Sequence, residues 1–292
     1  MDTSMKKIYF LTLLTFTMWA CDNNMQSSNA RNARSLTVQM ASNEQNATHS
    51  PTQTTVTDLA NEPIAPVTIK DIPLPKGYKR MTYETGTFAA WLRQLKLKSD
   101  KTVYLFNGQK KANQTAQYAV LDVSVGKRDL QQCADAIMRL RGEYLYGRKD
   151  YNKIEFHNVE GRLLKYMNYA GTDYSYSKFL KYMDKIFSEA STLSLSKEVT
   201  PLANPVEIRG GDIFIKGGAP GHAVIVMDVA QNIENKQVIF LLAQSYMPAQ
   251  DIHILKNPND AALSPWYSTN YGANLETPEW TFEKHRLSRF PN

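Results

Sequence analysis

The stretch 211–245, GDIFIKGGAPGHAVIVMDVAQNIENKQVIFLLAQS, decides the fold. It holds three β-branched runs, Asp212–Lys216, His222–Ala230 and Lys236–Ser245, separated by the turns GGAPG and QNIEN. Runs of this length, punctuated by glycine, proline and asparagine, predict an antiparallel meander whose middle strand is buried on both faces. Upstream the period changes. In 129–147, DLQQCADAIMRLRGEYLYG, the residues Leu130, Cys133, Ala134, Ile137, Leu140 and Tyr144 recur at helical spacing, with Asp129 placed to cap and Gly147 to terminate. Phe179, Leu180, Met183, Ile186 and Phe187 form the stripe of a second helix over about 176–191, and Phe88, Trp91, Leu92 and Leu95 that of a shorter one over 87–96. Val103–Phe106 and Tyr118–Val125 read as a hairpin around Asn107 and Gly108, Ile154–Phe156 as a short strand and the segment DIHILK as a further one. Helices first and a sheet afterwards imply an α+β domain with helices packed on an antiparallel sheet. The aromatic tail with Trp266, Trp280, Phe282 and Phe290 is expected to wrap over that sheet.

Working outward to the N-terminus, Lys6 and Lys7 precede an apolar run over 8–20 that ends at Cys21. The run is too short to span a bilayer and has the layout of a signal peptide. Ala20 before Cys21 suits lipidation of that cysteine with cleavage ahead of it; an uncleaved anchor and an ordinary secretory peptide are the alternatives. Between Cys21 and Gly77 there is no Phe, Trp or Tyr, although aromatics form 11% of the chain, so this stretch cannot build a core. The expected organisation is a signal peptide over 1–20, a disordered tether over 21–74 and one domain over 75–292. The corresponding location is the cell envelope, at the periplasmic face or the outer membrane, with the membrane as partner through the lipid. The formal net charge of +6 comes without a basic block, which gives no footprint for nucleic acid.

There are two cysteines. With Cys21 consumed by lipid, Cys133 is unpaired in an exported chain, so disulfide and zinc-cluster chemistry are excluded by count. A thiol at a helix N-terminus with an imidazole nearby can be activated as a nucleophile. His222, directly after GGAPG at the start of the central strand, is the candidate base, and the glycines there are expected to leave room for a substrate. A third polar group would fix the imidazole tautomer. Spacing does not separate Gln244 from Ser245, because a one-residue change of register exchanges the faces; Gln244 is favoured because its amide oxygen can accept from an imidazole N–H. His253 is an alternate orienter, and Gln132 a possible oxyanion donor beside the Cys133 backbone N–H. No HExxH motif, phosphate loop or G-x-S-x-G motif is present, and neither metal nor cofactor is called for.

The order of cysteine at a helix start, GDIFI, GHAVIV and a polar residue on the next strand resembles the NlpC-type and CHAP branches of the papain-like fold. That resemblance implies a papain-like domain and an amide hydrolase acting on peptidoglycan or an envelope peptide. A longer resemblance joins DLQQCADAIMRLRGEYLY, GDIFIKGGAPGHAVIVMDVA, FLLAQSYMPAQDIHILKNP, SPWY and TPEWTF. These are similar to the domain-of-unknown-function family 4846 of envelope lipoproteins, over about 77–290, and that similarity implies no activity. Two functions follow as expectations: a cysteine amidase or peptidase using Cys133, His222 and Gln244, or a catalytically inactive binding or scaffolding lipoprotein.

Overall fold

A computed structural model describes residues 65–291. The signal peptide, Cys21 and most of the tether lie outside the described residues. The first described turn, a 3-10 helix at Ile69–Asp71, already belongs to the core: Ile69 and Ile72 are fully buried. The indole of Trp266 donates to the Pro73 carbonyl at 2.8 Å, and Leu97 donates its N–H to Val67. The folded region therefore begins several residues before Pro75.

In chain order the elements are β1 (Tyr78–Arg80), α1 (Phe88–Leu92), β2 (Gln117–Val120), α2 (Cys133–Gly147), β3 (Glu155–His157), β4 (Leu163–Lys165), α3 (Tyr166–Ala170), α4 (Tyr176–Glu189) and α5 (Thr192–Leu195). The remainder is strand: β5 (Thr200–Pro201), β6 (Ile213–Lys216), β7 (His222–Asn232), β8 (Val238–Gln244), β9 (His253–Leu255), β10 (Trp266–Ser268), β11 (Asn274–Glu276), β12 (Thr281–Glu283) and β13 (Leu287–Arg289). One antiparallel sheet of nine strands runs β2-β9-β8-β7-β6-β13-β5, with β1 also pairing β7 and β10 pairing β8. Two hairpins, β3–β4 and β11–β12, stand apart from it.

This corrects the expected papain-like α+β class with helices packed on an antiparallel sheet. The fold is β-rich: among the described residues thirteen strands stand against five α-helices, of which α1, α3 and α5 have five residues or fewer. Most of the extra strands are two or three residues long, too short for an alternation of polar and apolar residues to mark them. The meander β6–β7–β8 matches its expectation, and β7 is buried on both faces for most of its length. The hairpin expected from Val103 to Val125 does not form. Tyr104 and Lys110 make only an isolated bridge, and β2 pairs with β9, more than a hundred residues downstream.

The alternation along β7 sorts side chains into two apolar clusters. Ala223, Ile225 and Met227 join α2 and α4 in one, whereas Val224 and Val226 join Phe240, Phe282 and Leu275 of the β11–β12 hairpin in the other. The register of β7 against β8 shifts between Val226 and Asp228, so Val229 enters the second cluster and Asp228 pairs with Leu241. Asp228 is fully buried and meets two guanidinium groups, Arg80 Nε at 2.7 Å and Arg93 Nε at 2.8 Å.

Candidate functional site

The site forms where β7 and β8 separate. Lys216 pairs with His222 and Ile225 with Ala243, which puts His222 and Gln244 on the same face of the sheet, two positions apart on the diagonal. The turn before His222 is held by contact: a side chain at Gly221 would lie 2.3 Å from the Gly218 carbonyl oxygen and 2.4 Å from the Thr192 hydroxyl. The glycine there serves close packing on α5, and the space expected for a substrate at that position is filled by protein.

The N-terminus of α2 reaches the same place from the other face. Ser245 Oγ donates to the Gln131 carbonyl at 3.0 Å, tying the chain ahead of α2 to the end of β8. Cys133 is the first residue of α2, and the N–H groups of Ala134, of Ala223 and of Cys133 itself bear on its sulfur. The thiol thus lies against the residue that follows His222. Ser245 is fully buried and serves as this tie, with no bond to His222. The expected cap Asp129 does not cap α2; Gln132 is the N-cap residue, and its side-chain amide donates to Asp129 at 3.1 Å. The Gln132 side chain is therefore engaged away from the thiol.

Hydrogen bonds fix the protonation pattern by elimination. His253 is fully buried, and its Nδ1 lies 2.9 Å from the Asp251 carbonyl, which can only accept, so Nδ1 carries the proton and Nε2 a lone pair. That lone pair faces the Gln244 amide nitrogen at 3.4 Å, and the same nitrogen donates to Glu279 Oε2 at 2.6 Å. Both contacts require nitrogen at that position of the amide. The Gln244 oxygen therefore faces His222, 2.9 Å from Nε2, and Nε2 must be the donor. Nδ1 of His222 keeps its lone pair, and no described residue hydrogen-bonds to it. Glu279 is held in turn by Lys111 Nζ at 2.5 Å and by the Asn113 side-chain amide at 3.2 Å.

Of the residues expected from sequence, the structure bonds His222 to Gln244 and places Cys133 at the start of α2 against Ala223; His253, expected as a substitute for Gln244, is a second anchor of Gln244. Glu279 and Lys111 were missed. Glu279 lies in the segment TPEWTF and Lys111 in a loop, and neither has a spacing that points at His222. Tyr246 and Trp280 were also missed: their rings lie 4.8 and 5.3 Å from the imidazole and cover it.

The electrostatics are those of an enclosed site. Burial lowers His222 to about 4, against a smaller opposing effect from the Gln244 hydrogen bond. His253 is likewise lowered to about 4 by burial. The Cys133 thiol is pushed up to about 11, first by burial and then by Asp135, which outweighs the helix N-terminus and the three N–H groups. Asp135 itself is raised to about 8 by burial, with Oδ2 accepting from the Gln132 N–H at 3.1 Å and Oδ1 unpartnered. At neutral pH the resting pair is a neutral thiol and a neutral imidazole.

Comparison with known families adds one observation: residues 69–289 match the domain of unknown function (4846). The chain belongs to that family. Its match begins at Ile69, the first fully buried residue of the 3-10 turn, and ends in β13. All the residues of the Cys133–His222–Gln244–Glu279 arrangement fall inside the 4846 domain. No curated protein and no solved structure matches the chain.

Proposed function

We propose that this family-4846 chain is an exported, lipid-anchored protein of the cell envelope whose domain carries a cysteine hydrolase site for an amide bond. The observation that supports it is the His222 Nε2–H···Oε1 Gln244 bond, which leaves the Nδ1 lone pair without a bond, on the residue next to Ala223, whose N–H bears on the Cys133 sulfur. Nδ1 would take the proton of Cys133 as sulfur attacks the carbonyl carbon. The backbone N–H groups at the start of α2 would receive the developing oxyanion. Collapse would expel the amine, protonated by the imidazolium, and water would then cleave the thioester. Gln244, and behind it the Glu279 carboxylate, would stabilise the positive charge on His222 during the transfer. Burial raises the thiol and lowers the imidazole, so transfer of this proton ahead of attack is disfavoured.

Export and lipidation rest on Lys6, Lys7, the apolar run over 8–20 and Cys21. Loss of fatty-acid incorporation in Cys21→Ala is the expected result, and retained incorporation would remove the anchor from this reading.

A non-catalytic binding lipoprotein is the second reading, favoured by the enclosure: Cys133 is 8% exposed and His222 1%. Alkylation of the full chain by iodoacetamide at pH 7 separates the two. The hydrolase reading expects Cys133 to react at least tenfold more slowly in His222→Ala than in the unsubstituted chain. Equal rates would mean that the imidazole does not act on the thiol and would leave the binding module.

A further inference from the structure

A second site lies away from the thiol. A cavity of about 710 Å3 opens between α1, α2, the β3–β4 hairpin and β13, and neither Cys133, His222 nor Gln244 lines it. Arg141 of α2 projects into its wall. Its guanidinium carbon lies 5.3 Å from the Phe88 ring, 5.8 Å from the Tyr144 ring and 5.4 Å from the Phe290 ring. Burial holds the group below the ordinary arginine range. Two other arginines of the same wall have counter-ions: Arg289 bonds Asp212 at 2.6 Å, and Arg148 bonds Asp150 at 2.9 Å. Arg141 has neither an ion pair nor a hydrogen bond among the described residues. Stacked rings satisfy the faces of a guanidinium, and its five N–H groups point outward along the edge, so this fork is unspent.

The surroundings are built to stay in place. The Tyr144 hydroxyl donates to the Gly86 carbonyl at 2.7 Å, which fixes the ring, and Phe88 packs against it at 5.1 Å. A free guanidinium edge matches the two oxygens of a carboxylate or a phosphate. Besides Asp150 and Asp212, which are paired with arginines, the cavity lining holds Glu84, Glu155 and Glu198, and carboxylates repel a dianion more than a monoanion.

We propose that this cavity binds a small organic monocarboxylate with an aromatic or apolar body, the carboxylate on the Arg141 edge and the body against Phe88, Tyr144 and Phe290. The test titrates the full chain, followed by NMR, with N-acetylphenylalanine, with its uncharged amide and with phenyl phosphate. Saturable binding of the acid is expected, at least tenfold tighter than the amide and tighter than the phosphate. Arg141→Gln should abolish the preference for acid over amide. Absence of saturable binding by the acid, equal affinity for acid and amide, or an unchanged preference in Arg141→Gln would overturn the site. A phosphate bound as tightly as the acid would overturn the carboxylate assignment. If Arg141→Gln does not fold, the comparison of acid with amide on the unsubstituted chain decides alone. None of these readouts depends on Cys133, so the outcome is independent of the hydrolase reading.

Discussion

Strand β7 carries two buried polar groups six residues apart, and they are connected in opposite ways. Asp228 is closed on itself: its carboxylate meets Arg80 and Arg93, and Arg80 passes a further bond to the Ile72 carbonyl at 2.6 Å. His222 heads a chain that runs through Gln244 and Glu279 to Lys111 and ends, on the imidazole side, at a nitrogen with no hydrogen-bond partner among the described residues. A closed cluster of this kind ties β1 and α1 to the sheet and leaves nothing over for chemistry. An open-ended chain leaves one lone pair without a bond, and that difference separates a structural polar group from a candidate catalytic one on the same strand.

The comparison breaks most easily at Asp228. Replacement by alanine leaves two largely enclosed guanidinium groups facing each other without an anion, and removal of one member of a buried ion cluster costs about 3–5 kcal/mol. Asp228→Ala should therefore show the largest fall in the urea midpoint of any single change discussed. A loss under about 1 kcal/mol would mean that water already compensates Arg80 and Arg93, and the closed cluster would lose its structural standing.

Glu279 probes the open chain. In Glu279→Gln the acceptor that holds the Gln244 amide nitrogen loses its charge, and Lys111, whose side chain is 8% exposed, loses its counter-ion. The expected cost is about 1–3 kcal/mol, in the range for an unsatisfied buried partner. The sharper readout is the nitrogen spectrum of His222. The unsubstituted chain should show the proton on Nε2, and the variant a mixture of tautomers. Adding Lys111→Met to Glu279→Gln should recover part of the stability without restoring the tautomer. A full Nε2–H population in Glu279→Gln would mean that His253 alone orients Gln244.

The contrast between the two clusters also bounds what the sequence conveys. Strands β6, β7 and β8 are legible because long β-branched runs meet turns rich in glycine and asparagine, and α2 and α4 because their apolar stripes extend over three to four turns. Those elements carry Cys133, His222 and Gln244, so the core of the candidate site is legible too. The choice of Gln244 over Ser245 needs the register: Ser245 points to the α2 side and ties down Gln131, whereas Gln244 shares a face with His222. Glu279 and Lys111 reach the site from loops 168 residues apart, and no local pattern in either segment encodes their meeting. The β-rich class is hidden for a related reason. Strands of two or three residues, such as β5 and β13, exist only through their partners, and β2 finds its partner in β9. The terminal assignments at Cys21 stand on sequence alone.

Asp135 gives the finest discrimination, because it bears on both stability and the thiol. His222 and His253 fall from 6.5 to about 4 on folding, so their contribution is complete above pH 6.5 and is lost as pH falls toward 4. Asp135 moves the other way, from 3.8 to about 8, so its contribution is complete below pH 3.8 and is lost as pH rises toward 8. Each group acting alone changes stability by up to about 1.4 kcal/mol per pH unit in its window. Between pH 4 and 6.5 the two histidines outweigh the one carboxyl, and between 6.5 and 8 the carboxyl acts unopposed. Stability should therefore peak near pH 6.5. In Asp135→Asn the side-chain oxygen still accepts from the Gln132 N–H, but nothing titrates. The limb above pH 6.5 should flatten and the limb below it should steepen, as read by urea unfolding across the range. The same variant removes the carboxylate that raises Cys133, so the pH midpoint for alkylation of the thiol should fall. A flattened stability limb with an unmoved alkylation midpoint would show that burial alone sets the thiol. The helix N-terminus would then have no competitor there but the burial of the thiol itself.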